Sequence, residues 1–127
     1  MAAAAAAGLQ LSEKELSILA RQGSGSACRS IPGGWVEWLD GNTSEDSYAV
    51  SLYPADYWDI VDVVAVVSTG RKDVSTSEGQ KLISTSPFFE ARKAGMKQKI
   101  TDIKQAIGAR DFTQFGQITA AEALNMH

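Results

Sequence analysis

The residues best equipped for chemistry in this 127-residue chain lie in one stretch, Gly23-Ser24-Gly25-Ser26-Ala27-Cys28-Arg29-Ser30. Its two glycines permit backbone angles with positive φ and close approach to a ligand. Two hydroxyls alternate with them, and Arg29 follows with a planar fork suited to a carboxylate or phosphate. A helix starting near Ser26 would aim several backbone N–H groups the same way as both hydroxyls, forming an anion-binding concavity. The same composition also fits a flexible Gly/Ser linker. A second hydroxyl cluster, Ser75, Thr76 and Ser77, follows Arg71-Lys72-Asp73-Val74. Read locally, such hydroxyls are helix N-caps, worth about 1 kcal/mol.

Other chemistries lack parts. Ser24 and Ser26 are poor nucleophiles because the one histidine is His127, and a serine needs a positioned base. One cysteine, one histidine and no tight carboxylate cluster argue against a metal site. The pattern G-x-G-x-x-C has Cys28 where the dinucleotide fingerprint requires glycine, and no GKS/T occurs. A net charge of −3 without a basic run gives no reason to expect nucleic acid. The run Val63 to Val67 is too short to span a membrane. Met1 to Leu9 lacks the cationic lead of a signal peptide. Cys28 stands alone, which excludes an internal disulfide and fits a reducing compartment. What remains is anion recognition by Ser24, Ser26 and Arg29, with Ser75, Thr76 and Ser77 as candidate helpers.

The elements that must position these residues follow from local signals. Met1 and six alanines before Gly8 read as the end of a helix with a glycine stop, or as a low-complexity alanine tail. Ser12 and Glu15 form a capping-box pattern, which predicts a helix over Glu13 to Arg21 burying Leu16, Leu19 and Ala20. Trp35 to Leu39 and Tyr48 to Tyr53 read as an antiparallel hairpin with Gly41 to Asp46 as its loop. Trp35 and Trp38 fit core packing better than ligand stacking. Ile60 to Ser68 is a nearly continuous β-branched run, expected as a central strand. A helix near Glu78 to Ser84 follows. A long one then carries Phe89, Met96, Ile100, Ile103 and Ile107 inward and Lys97, Lys99, Asp102 and Lys104 outward, ending at Gly108. Asp111 and Gln114 cap a last helix burying Phe112, Phe115, Ile118 and Leu124.

Three strings carry a family resemblance: GSGSACRSIPGGWVEW, Arg71-Lys72-Asp73-Val74-Ser75-Thr76-Ser77-Glu78-Gly79-Gln80, and Glu122-Ala123-Leu124-Asn125-Met126-His127. In this order they resemble segments of the mevalonate diphosphate decarboxylases, members of the GHMP kinase superfamily. The resemblance implies an α+β, GHMP-kinase-like two-lobe fold, with 1–56 ending the N-terminal lobe and 57–127 starting the C-terminal one. It implies ATP and Mg²⁺ as cofactors and mevalonate 5-diphosphate as substrate, converted to isopentenyl diphosphate. Ser24 and Ser26 would face its phosphates, Arg29 would hold the departing carboxylate, and Ser75, Thr76 and Ser77 would open a second phosphate-facing helix. A cytoplasmic homodimer is implied for the complete enzyme, without nucleic acid or membrane.

Phosphomevalonate decarboxylase, mevalonate 3-kinase and a non-catalytic anion-binding module stay open as alternatives. The family's Ser/Ala-rich ATP loop and its substrate lysine and tyrosine are expected before Met1, and its catalytic aspartate beyond His127. The chain is therefore expected to be a central slice, inactive alone, with unpaired strand edges that promote self-association.

Overall fold

A computed structural model describes residues 2–67, 69–70 and 76–126. The fold is α+β and divides into two compact units, Met1–Asp62 and Val63–His127. The first opens on α1 (Ala2–Ala6), built from the residue with the best helix propensity. Gly8 ends it at φ 71, where Gly8 N–H donates to the Ala5 carbonyl at 3.0 Å and Leu9 N–H to that of Ala4 at 2.9 Å. This pair of bonds is a Schellman stop.

The capping box forms as expected and starts α2 (Glu13–Gly23). Glu15 N–H donates to Ser12 Oγ at 3.3 Å, and Ser12 N–H donates back to Glu15 Oε2 at 2.8 Å. The Ser12 hydroxyl and backbone bonds hold the Glu15 carboxyl below the usual carboxylate range. The buried face differs from expectation. Ser17 is fully buried, Leu16 and Ala20 are half-buried, and Leu19 is 49% exposed. Leu19 lies roughly 200° around the helix from Ser17, so centring the packed stripe on Ser17 turns Leu19 outward.

After a short 3-10 helix (Gly25–Ser30) come β1 (Trp35–Trp38) and β2 (Ala49–Tyr53), an antiparallel pair with Trp35 opposite Tyr53 and Trp38 opposite Ala49. Gly34 enters β1 at φ 78, and a Cβ there would stand 2.2 Å from the Tyr53 carbonyl oxygen. Only glycine fits that approach. In the hairpin loop the Asp46 carboxylate accepts from Thr43 N–H at 2.7 Å, from Thr43 Oγ1 at 2.9 Å and from Asn42 N–H at 3.2 Å. These bonds, Thr43 foremost, lower its pKa. The Arg21 guanidinium reaches the loop from α2, donating to the Ser44 carbonyl at 2.9 Å and to Ser44 Oγ at 2.7 Å. Beyond β2, Trp35 stacks on Trp58 at 5.7 Å and Tyr53 on Tyr57 at 4.1 Å.

The expected central strand does not form among residues 60–67, and Ser68 lies outside the described residues. Val61, Val63, Val64, Val66 and Val67 are 73–95% exposed. A strand exists only as one side of a ladder, and no described segment pairs with this run. The described residues hold two strands, not three.

The second unit contains α3 (Thr76–Leu82), a 3-10 turn (Ile83–Thr85), α4 (Phe89–Ala109) and α5 (Phe112–Met126). Helix α4 continues through Gly108 and stops at Arg110, which takes the left-handed conformation at φ 53 and ψ 35. Asp111 N–H closes the stop on the Ala106 carbonyl at 2.9 Å. Asp111 Oδ1 then caps α5 by accepting from Gln114 N–H at 3.0 Å, as expected. Helices α4 and α5 form a hairpin in which Ala106 and Ile107 are buried, while Phe112 is 66% and Leu124 80% exposed. Lys99, expected to face outward, turns to α5, where it and Arg92 both bind Glu122. The Glu122 carboxylate on the facing helix gives both cations a charge-assisted hydrogen bond, which helical spacing within α4 alone does not reveal.

Candidate functional site

The Gly/Ser stretch folds as a short 3-10 helix, and its two faces divide the labour. Ser24 joins it to α2 in extended conformation, at φ −154 and ψ 129, with no side-chain cap bond. Neither Gly23 nor Gly25 adopts positive φ, so the expected left-handed turn is absent; among the described residues the positive-φ glycines are Gly8 and Gly34. Ala27 N–H already donates to the Ser24 carbonyl at 2.9 Å. That bond removes one donor from the expected concavity.

Cys28 anchors the segment. It is fully buried, and its thiol donates to the Gly25 carbonyl at 3.1 Å. The Cys28 carbonyl accepts from the Ser17 hydroxyl at 3.1 Å and from Ile31 N–H at 3.4 Å. Ser17 Oγ in turn accepts from Ala49 N–H at 2.9 Å. One hydroxyl thus fastens the 3-10 helix and β2 to α2. Sequence reasoning missed Ser17, since a lone serine within a helix carries no local mark.

Ser24, Ser26 and Arg29 are all exposed on this anchored segment. The Arg29 side chain makes no hydrogen bond or ion pair to any described residue. Arg21, eight positions earlier, is by contrast committed to Ser44. An unpaired guanidinium on a braced backbone can offer two parallel N–H groups to a carboxylate or phosphate. Of the second cluster, Ser75 lies outside the described residues, as do 71–74 and His127, while Thr76 and Ser77 open α3 in the second unit. Among the described residues no group of three or more His, Cys, Asp or Glu could hold a metal ion, and no helix is long and apolar enough to cross a membrane.

The second unit has a groove of about 650 Å³, lined by Ile83, Phe88, Phe89, Arg92, Lys99 and Leu124 among others. Its two cations are already engaged by Glu122. Lys99 first, then Arg92, hold that carboxyl below its usual range against an opposing effect of burial.

Comparison with known proteins agrees with the strings. A family model described as the diphosphomevalonate decarboxylase-like N-terminal domain matches residues 1–49. Another, the mevalonate 5-diphosphate decarboxylase C-terminal domain, matches residues 62–127. The diphosphomevalonate decarboxylase of Aspergillus fumigatus is 40% identical over 124 residues, 94% of this chain and 31% of the relative. Mevalonate diphosphate decarboxylase from Staphylococcus aureus superposes with a TM-score of 0.80 at 35% identity, over 93% of this chain and 36% of that one. A structure named MDDEF, in complex with MVAPP, AMPPCP and magnesium, gives 0.82 at 35% identity, over 94% and 37%. The chain spans about a third of the length of these relatives. With matches to both domains, one covering residues 62–127, the chain belongs to the mevalonate 5-diphosphate decarboxylase family.

Proposed function

We propose that this chain supplies the substrate-carboxylate contact of an enzyme that converts mevalonate 5-diphosphate to isopentenyl diphosphate with loss of carbon dioxide. The observation that carries this reading is Arg29: exposed, unpaired among the described residues, and held on a backbone anchored by Cys28 and Ser17. Its fork would bind the carboxylate in two parallel bonds and orient it for departure. Ser24 and Ser26, exposed on the same segment, would donate to the phosphates. The resemblance adds Ser75, Thr76 and Ser77 as further phosphate-binding residues.

ATP with Mg²⁺ would supply the phosphoryl group that the tertiary hydroxyl receives. The share read here for Ser24, Ser26 and Arg29 is substrate contact and orientation. Two family models matching in series and the division of the chain into two units support a two-lobe organisation, which the sequence reading divides as 1–56 and 57–127 and the structure divides after Asp62. The resemblance extends the reading to a cytoplasmic homodimer.

The test replaces the matching stretch of the Aspergillus fumigatus relative with this chain and measures ATP-dependent release of carbon dioxide. Release from mevalonate 5-diphosphate, lost in Arg29→Ala, is the expected result. Preference for mevalonate 5-phosphate would move the assignment to the related decarboxylase. A chimaera as stable as its parent yet inert with both would overturn it.

A further inference from the structure

Ser17 lies on α2, outside the Gly/Ser stretch, and is fully buried. Its hydroxyl has one proton to give and lone pairs to accept with, and both capacities are used. The proton goes to the Cys28 carbonyl at 3.1 Å, and the oxygen receives Ala49 N–H at 2.9 Å. The Cys28 carbonyl and the Arg29 nitrogen belong to one planar peptide unit. Fixing the direction of that carbonyl therefore fixes the plane from which the Arg29 Cα departs. The remaining bond on this oxygen, from Ile31 at 3.4 Å, is local and long and cannot set that direction against the rest of the unit.

We propose that Ser17 is a positioning residue for Arg29: through the Cys28 carbonyl it sets the bearing from which the guanidinium meets the substrate, and through Ala49 it refers that bearing to the hairpin. The part concerning substrate rests on the reading of Arg29 given above. Without the hydroxyl, a buried Ala49 N–H loses its acceptor and the Arg29 peptide loses its long-range tether.

The test compares the unsubstituted chain with Ser17→Ala, Ser17→Thr and Ser12→Ala. Ser12→Ala weakens α2 at its cap without touching the 3-10 helix, and so controls for loss of stability. Amide hydrogen exchange is followed at Ala49 and at Ile31, whose N–H shares the Cys28 carbonyl with Ser17, and affinity for mevalonate 5-diphosphate is titrated. Relative to Ser12→Ala, Ser17→Ala should speed exchange at both amides by roughly tenfold and weaken binding by a similar factor. Ser17→Thr, which keeps the hydroxyl, should recover both. Exchange at Ile31 no faster in Ser17→Ala than in Ser12→Ala would overturn the proposal. Failure of the unsubstituted chain to bind mevalonate 5-diphosphate would instead remove the functional reading of Arg29, and the exchange comparison would still decide the role of Ser17.

Discussion

Cys28 and Arg29 are chain neighbours that face opposite ways: the cysteine is completely buried and the arginine exposed. Burying the first presents the second. Because Arg29 has no partner among the described residues, its removal should leave folding almost untouched, within about 0.5 kcal/mol. A charge-assisted bond to a carboxylate contributes roughly 1.5–3 kcal/mol, so Arg29→Ala in the whole enzyme should lower turnover at least about tenfold. Arg29→Lys keeps the charge without the fork and should also be impaired. Steady-state kinetics and a melting curve on one preparation check both halves. A large fall in melting temperature with a normal rate would assign Arg29 to structure instead.

Gly33 and Gly34 make a matched pair. A Cβ on Gly33 would meet nothing within 4 Å, whereas one on Gly34 would strike the Tyr53 carbonyl oxygen at 2.2 Å from a backbone at φ 78. Gly34→Ala should therefore cost upwards of about 2 kcal/mol, and Gly33→Ala should stay within about 0.5 kcal/mol. Denaturant midpoints of the two variants test the contrast. Equal midpoints would refute the close approach.

Glu122 ties the α4–α5 hairpin to acid stability. Lys99 and Arg92 lower its folded pKa beneath that of an unfolded glutamate, about 4.3. The hairpin's gain is complete above the unfolded value and is lost as the pH falls through the lower folded value. In Glu122→Gln that part of the acid dependence should vanish, and stability at neutral pH should drop because Arg92 and Lys99 are left facing each other. Melting temperature followed from neutral to acid pH, in both proteins, is the measurement. Parallel curves would remove Glu122 from the account.

The capping box predicts a graded series at Ser12. Ser12→Ala should cost about 1 kcal/mol and Ser12→Gly only a few tenths. Chemical denaturation of the two variants reads the difference. An Ala variant as stable as the original would show that α2 is held by packing alone.

The legible parts of this fold are those written in local chemistry. Ser12 with Glu15, the glycine stop at Gly8 and the alternation around the hairpin each depend on residues a few positions apart. Ser17 was not legible because its partners lie 11 and 32 residues away. Leu19 misled for a related reason: helical spacing marks a stripe, but which stripe packs is decided by Cys28 and Ala49 across the unit. The valine run from Val61 has strand composition without a described partner, so propensity alone leaves it unpaired. At the site, residue types placed Ser24, Ser26 and Arg29 together. That Arg29 stays unpaired while Arg21 is bound to Ser44 emerges only once the hairpin loop has folded back.

All three tryptophans and all three tyrosines fall between Trp35 and Trp58, and phenylalanine is the only aromatic in Val63–His127. Near-ultraviolet absorption and emission therefore belong almost wholly to the first unit. The stacked indoles of Trp35 and Trp58, 5.7 Å apart, are close enough for their transition dipoles to couple, so the turn after β2 carries its own dichroic signature when docked. Peptide-bond dichroism is weighted toward the long helices α4 and α5 of the second unit. One unlabelled sample thus offers two optical channels, one for each unit. Coincident melting curves in both would mean that the units unfold as one cooperative system, and separated curves that they do not.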